Sequence, residues 1–370
     1  MRDVGRRELT RVMLNKILIA YHRFPPIAED LKKAFQSLGV EAEIFYTTDY
    51  EHWFYQRVIR KINRRARNLR LIPKGGDLFK THPLNLVNYV SSAFERALAR
   101  YRPDAVLVIH GLPFGESYIS KLPLPKIGWH LEPRDDLPYL VENAKPYDIY
   151  NSFSQKDVDL LAGAGYDCRY LSHAVDPEKF YSEAGTPRAF DLTFVGNWSA
   201  WRDEAVQAAL QVTTSVALYG GYWEKKSSIP TKLLKQIYKG KEIIGADLNH
   251  LFNSSRIVLN ASRIPGSHGL NMRFFEVLSA GSLLLTDTAP ELEKHFVPDT
   301  HLVVYRNTGE LKQRLRELLN APEKQDSIRF AGQRLVNGQH QYRQMAQHFL
   351  DQFREVEESR KPRQGEAHAQ

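Results

Sequence analysis

The chain has 370 residues, 42% of them hydrophobic and 25% charged, and a formal net charge of +8. That length suits two domains with sizeable cores, and the one cysteine, Cys168, excludes an intramolecular disulfide and a multi-cysteine zinc site. The excess of positive charge points to anionic partners such as nucleotides, phosphates or acidic lipids.

The opening "MRDVGRRELTRVML" is basic and lacks the apolar core of a secretory signal, so 1–14 are expected to be a flexible leader. No apolar run approaches the length that crosses a bilayer. With so few thiols, a reducing cytoplasm is the simplest setting.

"NKILIAYHRFPP" then gives a buried strand at 17–20 and a proline break. "AEDLKKAFQSLGVEAEIFYT" gives a helix ending near Gly39 and a strand at 42–46, a βαβ opening that signals a parallel sheet. A helix at 84–101 leads into "RPDAVLVIHG", and "PKIGWHLEP", "YDIYNSF" and "CRYLSHAVD" supply further short strands.

Over 177–187 the periodicity stops and the composition turns polar with Gly and Pro, as expected of an interdomain linker. The pattern restarts with strands in "FDLTFVG", "SVALYGG", "RIVLNAS", "SLLLTD" and "HLVVYRN", followed by the amphipathic helix "TGELKQRLRELLNAP". The expected plan is a leader at 1–14, an N-terminal domain at 15–178 and a C-terminal domain at 179–340. A helix at 341–358 and a polar tail at 359–370 complete it.

One segment stands apart. It opens on Trp53, closes on Gly76, and holds eight basic residues and no acid. Trp53, Val58 and Ile62 interleave with Arg57, Lys61, Arg64 and Arg65. This is either a solvated helix face or a surface for anionic lipid or an anionic acceptor. No nucleic-acid-binding motif accompanies the charge, so no nucleic acid partner is expected.

Two stretches carry chemistry. In "FVGNWSAWRDEA" a strand enters a turn at Gly196 and a helix follows. A glycine there admits a ligand close to the backbone, the helix N-terminus offers amides, and Arg202 adds a forked cation. The plain alternative is a β-turn-α corner with a surface arginine.

In "GLNMRFFEVLSAGSLLLTD", Asn271 is a good N-cap and Gly281 a good stop. Arg273 and Glu276 share a helix face at three-residue spacing, where they can pair with each other. Alternatively Arg273 neutralises a diphosphate while Glu276 accepts from two ribose hydroxyls, as carboxylates do in dinucleotide folds. A nucleoside diphosphate is the ligand this combination suits.

These stretches, together with "SSRIVLNAS", "HLVVYRNTGELKQRLRELL" and "AGQRLV", resemble in order those of GT-B glycosyltransferases. The closest resemblance is to the spore-maturation (CgeB-like) group related to the group 1 transferases, over roughly 100–340. It implies an α/β fold of two Rossmann-like doubly wound domains facing a central cleft. It also implies transfer from a nucleotide sugar to an acceptor hydroxyl on a glycan, lipid-linked sugar, protein or metabolite, with retention.

On this resemblance Gly196, Asn197 and Arg202 hold the donor diphosphate, with Asn271 and Arg273 beside it. Glu276 matches the second glutamate of the group 1 pair, on the ribose. The first glutamate of that pair falls at His268, which either bonds the sugar or fills the loop. His130, in "IGWHLEPRDD", matches a histidine near the donor sugar, or pairs with Glu132 or Asp135. Asp135 and Asp136 are acceptor candidates or a polar loop, and His110 and His173 are weaker strand-end candidates. Base contacts are expected from the loops at 219–223, beginning at Tyr219, and at 244–247. No DxD motif is clear, so no metal and no cofactor beyond the nucleotide-sugar donor is expected. Cytoplasmic residence, with peripheral attachment through 53–76, completes the expectation. The rivals are a sugar-nucleotide epimerase and a non-catalytic binding protein.

Overall fold

The computed structural model describes residues 14–360 apart from 24, 74–75, 110–113, 115 and 133–135. His110 and Asp135 therefore lie outside the described residues.

The first sheet has β1 (Lys16–Tyr21), β2 (Glu41–Tyr46), β3 (Ala105–Ile109), β4 (Lys126–His130), β5 (Ile149–Ser152) and β6 (Cys168–Tyr170), in the order β2-β1-β3-β4-β5-β6. Pairing is parallel between β1 and β2, β1 and β3, and β3 and β4. Interior parallel strands are covered on both faces, so they read as unbroken apolar runs. Every residue of β3 is buried, as is every residue of β1 after Lys16. Edge strand β2 mixes buried and exposed positions. Helix Leu86–Tyr101 is capped by Asn85, which accepts from Val87 N. It brings Phe94 onto Phe114 and Phe45, with ring centroids 4.4 and 5.0 Å apart.

The second sheet has β7 (Phe190–Val195), β8 (Val216–Tyr219), β9 (Tyr238–Gly240), β10 (Ser255–Asn260), β11 (Leu283–Asp287) and β12 (Val303–Tyr305), in the order β12-β11-β10-β7-β8-β9. All of its pairs are parallel. The strand order reverses between β7 and β10. Open α/β sheets bind ligands at the carboxyl ends of the strands at such a switch point. The short edge strand β9 is one that the sequence pattern does not reveal.

Helix Met272–Ser279 begins at Asn271, whose side chain accepts from Arg273 N, and closes in a Schellman motif. Gly281, at φ +68°, donates to Leu278 O, and Ser282 donates to Val277 O. The chain then runs directly into β11.

The described residues divide into two compact units. One holds 14–129, 141–150 and 346–360; the other holds 130–140 and 151–345. The polar stretch at 177–187 is part of the second unit and is pinned there. Asn249 Oδ1 accepts from Tyr181 N, and Asn253 Oδ1 accepts from Glu183 N. The end of helix Tyr342–Arg360 belongs to the first unit. There Phe349 packs on Trp129 and Arg360 donates to both oxygens of Asp148.

Candidate functional site

The switch point is built from the loops that leave β7, β8, β10 and β11. After β7, Gly196 N donates to Tyr219 O at 2.9 Å, and Gly196 O accepts from Trp223 Nε1 at 2.8 Å. Asn197 Oδ1 accepts from Gly221 N at 2.8 Å. Gly220, at φ +143°, passes so close that a Cβ there would lie 1.9 Å from Gly196 O. The β7 and β8 loops are thus stitched together, and the side-chain oxygen of Asn197 is spent on the stitch. Tyr219 contributes its carbonyl, and its ring lies against Gly240. In the loop expected to contact a base, Tyr222 is exposed, and Lys226 stands between the rings of Tyr222 and Trp198.

Ser199 caps helix Ala200–Leu210. Arg202, on its first turn, spans the switch point: Nε donates to Ala261 O after β10 and Nη1 to Asn197 O after β7, both at 2.9 Å. Burial pushes the Arg202 pKa down, and Arg263 and Arg273 push the same way while Asp287 opposes them. The charges of Arg263, which is exposed, and Arg273 are thus felt at Arg202. Asp287 ends β11 nearly buried. Its Oδ2 accepts from Trp201 Nε1 and Ser262 N, and burial raises its pKa against those bonds and Arg202.

Asn260, at the end of β10, links the strand ends to the next helix. Its Nδ2 donates to Thr286 Oγ1, and its Oδ1 accepts from Asn271 Nδ2. With Asn271 so oriented, the helix that carries Arg273 and Glu276 starts at the same place. Arg273 Nη1 donates to Glu276 Oε2 at 2.6 Å, and the guanidinium lies 5.2 Å from the Phe252 ring centre. Of the two readings of this pair, mutual pairing is the arrangement present in the structure.

His268, on the loop before Asn271, meets Glu291: Nδ1 lies 2.9 Å from Oε1. Glu291 is fully buried and also accepts from Gly269 N at 2.8 Å and Gln155 N at 3.0 Å. Burial pushes its pKa up, but the bonds from Gly269, His268 and Gln155 outweigh that and leave it lowered.

Three further candidates stand at or after the ends of β4 and β6. His130, the last residue of β4, is 1% exposed and tilts against Tyr139, with centroids 6.1 Å apart. His173 is buried against Phe153, and burial lowers its pKa to about 4, so it is a neutral packing residue at physiological pH. Asp136 Oδ1 accepts from Tyr139 N at the start of helix Leu137–Ala144. Sequence reading passed over Arg263, Asp287 and Glu291. Asp287 had a signal, because a carboxylate closing a buried strand at the ligand end is out of place in a core. Among the described residues no group of three His, Cys, Asp or Glu is placed to hold a metal ion.

In the first unit, the basic segment forms a π-helical turn at Tyr55–Ile59 and helix Arg60–Asn68. Ile59, Asn63 and Ala66 face inward, and Asn63 is tied to Asp77 and to Leu78 N. Trp53, Leu69 and Leu71 are 68%, 70% and 72% exposed. Arg64, Arg67 and Arg70 line a surface hollow of about 560 Å³ with Ile72 and Pro73. No helix among the described residues is long and apolar enough to cross a membrane.

Residues 199–351 match the model of a family described as glycosyl transferase-like. No curated protein matches the chain. Sucrose-phosphate synthase from Thermosynechococcus elongatus is similar with a TM-score of 0.67 at 11% identity, over 93% of this chain and 100% of that one. HepE from Anabaena, solved with UDP-glucose, gives 0.60 at 12% identity over 91% and 99%. UDP-GlcNAc 2-epimerase from Neisseria meningitidis, bound to UDP-GlcNAc, gives 0.57 at 13% identity over 91% and 100%. These likenesses, with two six-stranded sheets flanked by helices, identify the fold as GT-B, built from two Rossmann-like domains.

Proposed function

We propose that this protein is a glycosyltransferase of the group 1 type, in its spore-maturation (CgeB-like) group, moving a sugar from a nucleoside-diphosphate donor to an acceptor hydroxyl. The observation that carries the reading is Arg202, held partly buried across the carboxyl ends of β7 and β10 by the carbonyls of Asn197 and Ala261, with the charge of Arg273 close enough to lower its pKa. Like charges gathered in a partly buried place repel one another, and a doubly charged diphosphate relieves that repulsion. The helix N-termini capped by Ser199 and Asn271 add amide donors. The glycosyl transferase-like match over 199–351 supports the reading, as does the likeness to proteins solved with UDP-glucose and UDP-GlcNAc.

In this reading donor binding turns Arg273 from Glu276 onto the diphosphate, with Gly196, Asn197 and Arg202 framing it. Glu276, released, accepts from two ribose hydroxyls. Breaking the bond between the anomeric carbon and the diphosphate oxygen leaves negative charge on the leaving group. Fixed cations and amides stabilise that charge without needing to reorganise. Retention of configuration and independence of metal go with the group 1 type. The donor domain spans 179–340, and 15–178 serves the acceptor, a glycan, lipid-linked sugar, protein or metabolite. We place the protein in the cytoplasm, with 53–76 against anionic lipid.

The test is a thermal-shift screen with UDP-, GDP-, ADP-, CMP- and TDP-sugars, since a bound donor stabilises by mass action. The expected result is a rise in melting temperature with one nucleotide class, followed by consumption of that donor when acceptors are supplied. No shift with any of them at millimolar concentration overturns the reading. The likeness to UDP-GlcNAc 2-epimerase keeps a second reading in view: free epimer formed without any acceptor favours it.

A further inference from the structure

We propose that Glu291 is a positioning residue that fixes His268 as its Nδ1–H tautomer, so that Nε2 stands as a hydrogen-bond acceptor for a hydroxyl of the donor sugar. This rests on the donor-site reading above. Glu291 is fully buried and yet accepts from three donors on two distant segments: Gln155 N, His268 Nδ1 and Gly269 N. Those bonds hold its pKa below the ordinary range in spite of burial, so it is a carboxylate at neutral pH. An ionised carboxylate only accepts, so the ring nitrogen facing it carries the proton. A neutral imidazole then has its lone pair on Nε2.

The position of the ring gives that lone pair a use. The side chain of His268 remains 31% exposed although its Nδ1 edge meets a fully buried group. Nδ1 is taken by Glu291, so Nε2 is the ring nitrogen left for a ligand. Its loop runs directly into Asn271, which starts the helix carrying Arg273 and Glu276. In the donor reading, an acceptor on the loop that leads into that helix serves the sugar attached to the diphosphate.

Glu291→Gln separates orientation from anchoring. The amide keeps the volume and one accepting oxygen, but its NH2 group must now face a donor. Facing Nδ1, it moves the ring proton to Nε2 and removes the acceptor. In ¹⁵N spectra of the imidazole, the wild type should show a protonated Nδ1 and a pyridine-like Nε2, and the variant the reverse. With UDP-glucose and UDP as probes, Glu291→Gln and His268→Ala should each lower turnover, or the affinity that glucose adds to UDP, by about tenfold to a hundredfold. UDP affinity itself should stay within about twofold. The double variant should be no worse than His268→Ala.

A wild-type ring protonated on Nε2 overturns the proposal. So does a Glu291→Gln loss that appears equally in UDP affinity and adds to that of His268→Ala, which marks an anchor only. If Glu291→Gln does not fold, the wild-type spectrum and the split between UDP-glucose and UDP in His268→Ala still decide. A wild type that binds neither probe excludes a uridine donor only; the tautomer then decides, and the affinity comparison is repeated with the nucleotide class that raises the melting temperature.

Discussion

Arg273 donates to the Glu276 carboxylate at 2.6 Å from one turn earlier on the same helix, with the two side chains only 20% and 9% exposed. Each group is thus the other's partner until a ligand offers both a better one. Arg273→Ala should lower turnover by an order of magnitude or more, because the cation is assigned to the leaving group. Glu276→Ala should weaken nucleotide affinity about tenfold with a smaller effect on turnover of the bound donor. Both should also lower stability by about 1–3 kcal/mol, since each leaves a largely buried polar partner unsatisfied. Titration calorimetry with the nucleotide, steady-state kinetics and denaturant unfolding measure the three effects. Unchanged affinity and turnover in both variants would remove the pair from the donor site.

Gly220 tests whether the stitch between the β7 and β8 loops matters. Its φ of +143° is poorly open to other residues, and a Cβ would meet Gly196 O at 1.9 Å. Gly220→Ala should therefore destabilise by roughly 2 kcal/mol or more and shift the Gly196–Asn197 turn, weakening nucleotide binding as well. Gly185 is the control. It also has positive φ, at +79°, but nothing stands within 4 Å of its added methyl. Gly185→Ala should cost about 1 kcal/mol and leave binding alone. Equal effects at the two positions would show that backbone strain, not the close approach, governs Gly220.

The strands were legible because interior parallel strands such as β3 and β11 are short unbroken apolar runs. The cap at Asn271 and the stop at Gly281 were legible because both act locally. What escaped is what sequence separation conceals. The two carbonyls that Arg202 grips, on Asn197 and Ala261, belong to backbone and leave no residue signature. Glu291 meets His268 across 23 positions and Gln155 across 136. The stretch at 177–187 reads as a linker because its composition is polar. Its backbone is nevertheless paired with Asn249 and Asn253, two buried amides that nothing in the local pattern connects to it.

The basic segment makes a prediction of its own. Leu69 and Leu71 are exposed on either side of Arg70, which lines the hollow with Arg64 and Arg67, and Trp53 is exposed just before the π-helical turn. Apolar side chains that insert and cations that meet phosphates form a combination suited to an acidic bilayer. The protein should sediment with vesicles containing phosphatidylserine and not with pure phosphatidylcholine. Each basic residue near such a surface contributes about 1 kcal/mol, so the Arg64→Ala, Arg67→Ala, Arg70→Ala triple variant should bind roughly a hundredfold more weakly. Binding should also fall as salt is raised. Equal sedimentation with both lipids, or a triple variant that binds like the wild type, contradicts the surface.

Acid should unfold the second unit through its buried histidines. Burial lowers the pKa values of His173, His295 and His340 from 6.5 to about 4. The rings of His295 and His340 lie 5.2 Å apart, and His295 meets the Tyr170 hydroxyl at 2.8 Å. Well above pH 6.5 these rings are neutral in both states and contribute nothing to the pH dependence. Between 6.5 and 4 the unfolded chain takes up protons that the folded chain refuses, so stability falls as pH falls. Each unit of depression corresponds to about 1.4 kcal/mol per group once the pH is below both pKa values. Glu291 adds to the loss at the acid end, because a lowered carboxylate pKa stabilises above its unfolded value and that benefit disappears as pH drops through the folded one. Urea midpoints should therefore decline steadily from about pH 7 to about pH 4.5. His340→Phe, which keeps a ring among Phe275, Phe296 and His295, should make the decline shallower. An unfolding midpoint that is flat over this range would mean that the folded protein protonates these rings as readily as the unfolded chain does.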